Sequence, residues 1–112
     1  MQVSFRIICA DPDISRVEKH LNEIPSAHAK IKIMPYWKIL GCTEITFEYY
    51  DVRVDTAYLQ EKVRQIGGND ELIISQQGDC EEYSIYTSSE KIASSGACAF
   101  VVCFVNMKES TL

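Results

Sequence analysis

The stretch that decides the fold is 44–51, EITFEYYD, in which apolar and polar residues alternate. Successive side chains of a β-strand point to opposite faces of a sheet, so this pattern predicts a strand over 43–50. One of its faces carries Ile45, Phe47 and Tyr49 and is expected to lie in the core. The other face carries the polar residues Glu44, Thr46 and Glu48 together with Tyr50. What this face binds, if anything, is the functional question.

Upstream of this strand, alternation predicts a first strand over 2–9, followed by a helix over DPDISRVEKHLNEIP at 11–25. The second face of the first strand is mostly apolar, so we expect a central strand that is covered on both sides. Asp11 is placed to cap the helix, Pro12 suits its first position, and Pro25 ends it.

Immediately before 43–50, the segment KIKIM at 30–34 also alternates, and YWKILG at 36–41 leads on to the strand. We expect a hairpin whose first strand is interrupted at Pro35, because proline cannot donate to the hydrogen-bond ladder. Gly41 supplies the turn.

A second helix is predicted to begin at Asp55 or Thr56 and to bury a stripe of Leu59, Val63 and Ile66. The glycine pair that follows at 67–68 predicts its end. Its outer face is mixed and is expected to be solvated: Gln60, Glu61, Lys62, Arg64 and Gln65.

Three further strands are predicted within 71–77, 80–87 and 97–107, while 88–96 can be helix or loop and 108–112 is expected to fray. The order β-α-β-β-α-β followed by further strands predicts an α+β fold with two main helices and a mostly antiparallel sheet. We expect one domain over the whole chain, in a split-βαβ, ferredoxin-like arrangement with extra C-terminal strands.

Composition predicts a cytoplasmic protein. No apolar run approaches the ~20 residues of a membrane helix, and the N-terminal segment meets an acidic turn too early for a signal peptide. The cysteines are odd in number and show no C-x-x-C spacing, so we expect reduced thiols and neither a metal site nor another cofactor. They are Cys9, Cys42, Cys80, Cys98 and Cys103.

The net charge of −5 is unevenly distributed along the chain. Residues 1–43 carry four acids and six bases, residues 44–82 carry ten acids and three bases, and residues 83–112 balance. The acidic middle third favours a basic partner and opposes nucleic-acid binding.

Catalysis is not predicted. Glu81 and Glu82 are neighbours on a strand and point to opposite faces, while Glu44 and Glu48 are about 13 Å apart, beyond the ~5–9.5 Å spacing of a glycosidase pair. His20 is expected on a helix surface. The other histidine, His28, is expected in the loop before the second strand. No motif pairs either histidine with Cys9, Cys42 or Cys80.

Lysines and aromatic residues are interleaved only at 30–38, a pattern that can serve single-stranded RNA. The acidic segment that follows argues against that use, so Trp37 is expected in the core or as the anchor of a protein contact. The acidic segment is itself rich in tyrosine, which is frequent among interface hot spots. The sequence therefore predicts either a solvated sheet surface or a protein-binding face, the latter formed by Glu44, Glu48, Tyr50, Asp51, Asp79, Glu81, Glu82 and Tyr86.

The layout over 3–105 resembles small bacterial immunity proteins, the antitoxins of contact-dependent growth inhibition systems. The likeness rests on an opening V-S-F-R-I-I, then D-P-D-I-S-x-V-E-x-x-L-N-x-x-P, then a tryptophan strand W-K-I, then a helix and closing strands. The resemblance implies a non-catalytic inhibitor without cofactors that blocks the basic active site of a toxin, a nuclease domain at the C-terminus of a delivered effector. The alternative is a small-molecule-sensing or regulatory ferredoxin-like domain, with a homodimer formed through sheets. Neither a nucleic acid nor a membrane is expected as a partner.

Overall fold

A computed structural model describes residues 2–25, 27–38, 40–50, 55–67, 72–77, 82–87 and 100–106. In chain order these form β1 (Gln2–Ala10), α1 (Ile14–Asn22), β2 (Ala27–Pro35), β3 (Cys42–Tyr50), α2 (Thr56–Gly67), β4 (Leu72–Gln77), β5 (Glu82–Thr87) and β6 (Phe100–Asn106). The segments 88–96 and 108–112, for which the sequence predicted helix or loop and a frayed tail, lie outside the described residues. None of the described helices is long and apolar enough to cross a membrane.

The strands form one antiparallel sheet in the order β2-β3-β1-β6-β5-β4. The predicted α+β class, with two helices and an antiparallel sheet, is confirmed. β1 lies between β3 and β6, as its apolar character predicted, and α1 connects it to β2 on the far side of β3. After α2 the chain starts again at the opposite edge with β4 and returns through β5 to β6 beside β1.

The core lies between one face of the sheet and the two helices. The three apolar residues of EITFEYYD are buried there as predicted, with Ile45 fully buried and Phe47 and Tyr49 at most 4% exposed. The ring of Phe47 packs at a tilt against Phe5 of β1 and against Tyr49, with centroids 6.4 and 5.7 Å apart. The helices and the residues that directly follow α1 contribute buried aliphatic side chains: Val17, Leu21, Ile24, Leu59, Val63 and Ile66.

The prediction that β1 is covered on both sides is wrong for most of its length. On the face opposite the helices Ile8 is buried, but Arg6 is exposed and Ser4 is only partly covered. Cross-strand neighbours on β3 and β6 shield this face in part, and neither helix packs on it.

The start of the first helix also differs from the prediction. Residues 11–13 form a 3₁₀ turn and α1 begins at Ile14, with no side-chain cap at its N-terminus. The Asp11 carboxylate instead accepts a hydrogen bond from the Thr43 hydroxyl at 2.6 Å, and its backbone N–H donates to the Gly41 carbonyl at 2.9 Å. A tertiary contact therefore replaces the local cap, and it fixes the end of β1 to the start of β3.

The β2–β3 hairpin is tighter than predicted. Pro35 is the last residue of β2 and does not interrupt it. Turns lie at 37–38 and 40–41, so Trp37 and Lys38 do not belong to the strand expected there. The Tyr36 N–H donates to the Cys42 carbonyl at 2.9 Å, and Gly41 adopts a positive φ of 82° that suits glycine. His28 lies within β2 and not in a loop before it.

α2 begins at Thr56 with Asp55 as its cap, because the Asp55 carboxylate accepts hydrogen bonds from the backbone N–H groups of Ala57 and Tyr58 at 3.0 and 3.3 Å. At its other end, the Arg16 guanidinium of α1 donates to the carbonyls of Gln65 and Ile66 at 3.1 and 3.0 Å. Those carbonyls have no partner within the helix, so Arg16 satisfies them and places a positive charge at the negative end of the helix dipole.

Lys62 departs from the solvated face predicted for α2. Its side chain is buried, with 4% of the residue exposed, and its ammonium lies 2.9 Å from a carboxylate oxygen of Glu23 at the end of α1. The ring of Tyr58 lies 5.9 Å from the same ammonium. The sequence shows only a lysine among polar neighbours, and the pairing depends on a residue 39 positions away.

The described core predicts a contrast between two leucines. Leu21→Ala should lower the free energy of unfolding by about 2–5 kcal/mol, because it leaves a cavity under the sheet. Leu40→Ala should change it by less than about 0.5 kcal/mol, because Leu40 is fully exposed in the turn. Urea denaturation of both variants measures the difference, and equal effects would contradict this core.

Candidate protein-binding surface

The sheet face opposite α1 and α2, here called the outer face, holds the strand residues predicted to bind a partner. Paired residues of antiparallel strands point to the same side, and the register places Glu44, Glu48 and Tyr50 of β3 beside Ile8, Ser4 and Gln2 of β1. Across β6, the row of Gln2 and Tyr50 continues to the position of Glu82 in β5, and the row of Arg6 and Thr46 continues to that of Tyr86. Three predicted residues lie outside the described part of the chain: Asp51, Asp79 and Glu81.

The structure brings these positions to one face but not into one cluster. β1 and β6 lie between β3 and β5, so the two groups are three strand spacings apart, about 14 Å. This strand separation exceeds the ~5–9.5 Å carboxylate spacing of a glycosidase pair, so the backbone position of Glu82 does not support such a pair with Glu44 or Glu48. The intervening strip carries Arg6, Ser4, Val102 and Phe104.

The outer face carries both signs of charge at β2, β3 and β1. The Arg6 guanidinium lies 2.7 Å from a carboxylate oxygen of Glu44, whose side chain is only 17% exposed. Lys30 stands opposite Glu48 in the register, and Lys32 stands opposite Thr46. The two glutamates of EITFEYYD thus lie next to cations, so the described part of this face is mixed in charge and not uniformly acidic.

Other acidic residues of the middle third serve the fold. Asp55 caps α2, and Glu61 lies 3.7 Å from Arg64 one turn along the same helix. A count of charges along the sequence does not show that these two carboxylates already have partners within the fold.

Large apolar side chains are exposed on the outer face. Tyr50 of β3 is 57% exposed and Phe104 of β6 is 48% exposed, and Ile73 of β4 is nearly as open. Tyr86 lies on the same face and is half-buried. A flat sheet surface with aromatic groups in the open offers contact area at little cost in side-chain entropy.

Among the described residues, the most exposed apolar side chains lie at 36–38 and 40–41, here called the hairpin tip, which was not part of the predicted binding face. Trp37 is 81% exposed and Leu40 is fully exposed, while the Lys38 ammonium lies 5.0 Å from the tryptophan ring. The expectation that Trp37 lies in the core is wrong, and the alternative of a protein contact stays a prediction. Pro35 and Gly41 could have indicated the exposure of Trp37, because they bound a short turn between two strands, and a residue in such a turn cannot reach the core.

The thiols of the core do not supply a nucleophile. Cys9 and Cys103 are fully buried, and burial raises the pKa of the Cys103 thiol far above its ordinary value, so the thiolate is not formed at neutral pH. Cys42 is partly buried, and Cys80 and Cys98 lie outside the described residues. Among the residues that the structure describes, no group of three or more histidine, cysteine or carboxylate side chains is arranged to hold a metal.

His20 is less exposed than a helix-surface residue was expected to be. Its Nδ1 is buried, has no hydrogen-bond partner among the described residues, and lies 4.0 Å from the Glu23 carboxylate. Burial lowers the pKa of His20 below its ordinary 6.5, helped by the charges of Lys62, Arg16 and Lys19 and opposed by Glu23. His20 and Glu23 at the end of α1, together with Lys62 of α2, join the two helices on the side of the sheet away from the outer face.

The position of His20 predicts a pH dependence of stability. The unfolded chain binds a proton at this histidine at a higher pH than the folded protein does, so the free energy of unfolding should fall as the pH drops through 6.5. His20→Gln should flatten this region of the curve. Urea denaturation at a series of pH values above 4.5 measures this dependence. The pKa of Glu23 is lowered by Lys62, so in the folded protein that carboxyl group titrates below this range. An unchanged slope in His20→Gln would assign the effect to another group.

The candidate surface therefore consists of the outer face and the hairpin tip, which follows the last paired residues of β2 and β3, Pro35 and Thr43. It combines exposed aromatic and aliphatic groups with charges of both signs, and it lies away from the helices. Comparison with protein-family models, with curated proteins and with solved structures finds no match to this chain.

Proposed function

We propose that this protein is a non-catalytic immunity protein that binds the toxic domain of a delivered effector and occludes its active site. The observation that carries the proposal is the exposure of Trp37 and Leu40 at the hairpin tip, while Tyr50 and Phe104 expose further aromatic groups elsewhere on the outer face. Contiguous exposed apolar groups with polar surroundings are typical of protein-binding sites, and tryptophan is prominent among hot spots. The class of partner comes from the resemblance to immunity proteins.

The hairpin tip is held firmly enough to act as a preformed ligand. The Tyr36 N–H closes the turn onto the Cys42 carbonyl, and the Gly41 carbonyl accepts a hydrogen bond from the N–H of Asp11, which directly follows β1. The Asp11 carboxylate also accepts the Thr43 hydroxyl bond, which ties the first residues of β3 to the body of the protein. A fixed tip loses little conformational freedom on binding, so more of its contact energy appears as affinity.

The charges of the outer face would select and orient the toxin. On β3, Glu44 is already neutralised by Arg6. Glu48, beside the exposed Tyr50, therefore attracts a basic groove of the toxin more strongly than Glu44 does. Lys30 and Lys32 at the edge would repel a basic surface and so restrict the ways in which it can dock. Charges of this kind act mainly on association rate and specificity, while the apolar groups supply contact area.

We also propose a ferredoxin-like origin for the sheet. β2, β3, β1 and β6 follow the order of a split-βαβ sheet, with the last strand beside the first. In this interpretation the β4–β5 hairpin is an insertion between α2 and the closing strand, and it widens the outer face on the side away from the hairpin tip.

Removal of the tip side chains should weaken toxin binding. Affinity capture from the source cells supplies the partner, and its purified toxic domain is then titrated with Trp37→Ala and Leu40→Ala variants. Each truncation is expected to cost about 2 kcal/mol, a loss of roughly 30-fold in affinity, and to relieve inhibition of the toxin in proportion.

Tyr58→Ala is the matched control, because Tyr58 is an exposed aromatic residue on α2, on the other side of the sheet. Its affinity for the toxin should equal that of the unmodified protein. Equal losses in all three variants, or none in the tip variants, would exclude the hairpin tip as the binding site. Capture of nothing but this chain itself would favour the regulatory homodimer over the immunity function.

A further inference from the structure

The two edges of the sheet are built differently. β2, at one edge, carries Lys30 and Lys32, has an irregular register between Ala27 and Lys30, and ends in Pro35. Charge, irregularity and proline are the features by which natural sheets prevent the addition of another strand. The β2 edge is therefore protected.

β4, at the other edge of the described sheet, has none of these features. Its sequence LIISQQ over Leu72–Gln77 contains neither a charged residue nor a proline, and its register with β5 is regular throughout. Ile73 is 43% exposed on the outer face and Ile74 is 48% exposed on the helix side. An uncharged strand with exposed isoleucines on both faces is a template for another strand.

We propose that β4 pairs antiparallel with β4 of a second copy of this chain, so that the two six-stranded sheets become one. A two-fold axis perpendicular to a sheet turns an edge strand into its own antiparallel partner, so this edge is complementary to itself. The same operation on β2 would bring Lys30 and Lys32 close to their own copies. Each molecule carries a net charge of −5. At an uncharged edge, two copies can meet without placing like charges opposite each other.

The face of each side chain restricts the register of this pair. Paired residues must point to the same side of the joined sheet, so only residues of equal parity can stand opposite one another. A register centred on Ile74 places the two Ile74 side chains together on the helix side and Ile73 beside the partner's Ser75 on the outer face. Ile74 already stands opposite the fully buried Ile85, so its copy would extend the buried row beyond the present edge.

This association is independent of the proposed toxin contact. Five strand spacings, about 24 Å, separate β4 from β2 and the hairpin that β2 begins. The joined sheet would leave both hairpin tips at its far ends. The two interactions can therefore be lost separately.

The test compares Ile74→Lys with Ile33→Lys, a matched control because Ile33 is an isoleucine of similar exposure, 45%, on the same side of the sheet at the β2 edge. Sedimentation equilibrium over a range of concentrations should show a reversible dimer for the unmodified protein and for Ile33→Lys. Ile74→Lys should raise the dimer dissociation constant at least tenfold, because it places two ammonium groups opposite each other across the interface. Circular dichroism of both variants confirms that each is folded.

Hydrogen exchange of the unmodified protein provides a second test that requires no substitution. Backbone amides of β4 should become more protected as the dimer forms, while those of β2 should not change. A protein that stays monomeric, a dimer that survives Ile74→Lys, or a dimer without added protection in β4 would each overturn the proposal.

Discussion

Burial of one face of β1 and β3 beneath two helices is the constraint on which the rest of the structure depends. Because side chains alternate along a strand, the placement of Phe5, Phe47 and their neighbours in the core decides which residues reach the outer face. A shift of one residue would exchange the two sets completely. The composition of the outer face is thus fixed by the packing on the other side of the sheet.

Local pattern predicted the elements, and long-range contacts decided how they are used. The alternation of EITFEYYD and the helical stripe of α2 depend only on nearby residues, so both were predicted correctly. The position of β4 at the far edge depends on pairing between distant strands, and the burial of Lys62 depends on Glu23 of another helix. Trp37 was misplaced because hydrophobicity alone does not show that a residue lies in a tight turn.

Charge shows the same dependence on tertiary structure. The acidic middle third of the sequence predicted an acidic surface, yet the fold uses Asp55 to begin a helix and places Arg6 against Glu44. The basic N-terminal segment contributes β1 and β2, which flank β3 on its two sides in the sheet. Segments of opposite charge in the sequence thus become neighbours in the sheet, where Arg6 and Lys30 stand beside Glu44 and Glu48.

The location of Trp37 has a spectroscopic consequence. It is the only tryptophan in the chain and is 81% exposed, whereas the described core contains phenylalanine and tyrosine rings such as Phe5, Phe47 and Tyr49. Tryptophan emission will therefore come from a water-exposed indole in both the folded and the unfolded protein, and it will be a poor signal for denaturation. The same indole will report contacts at the hairpin tip without emission from any other tryptophan. Its emission band therefore monitors the turn and responds little to changes in the core.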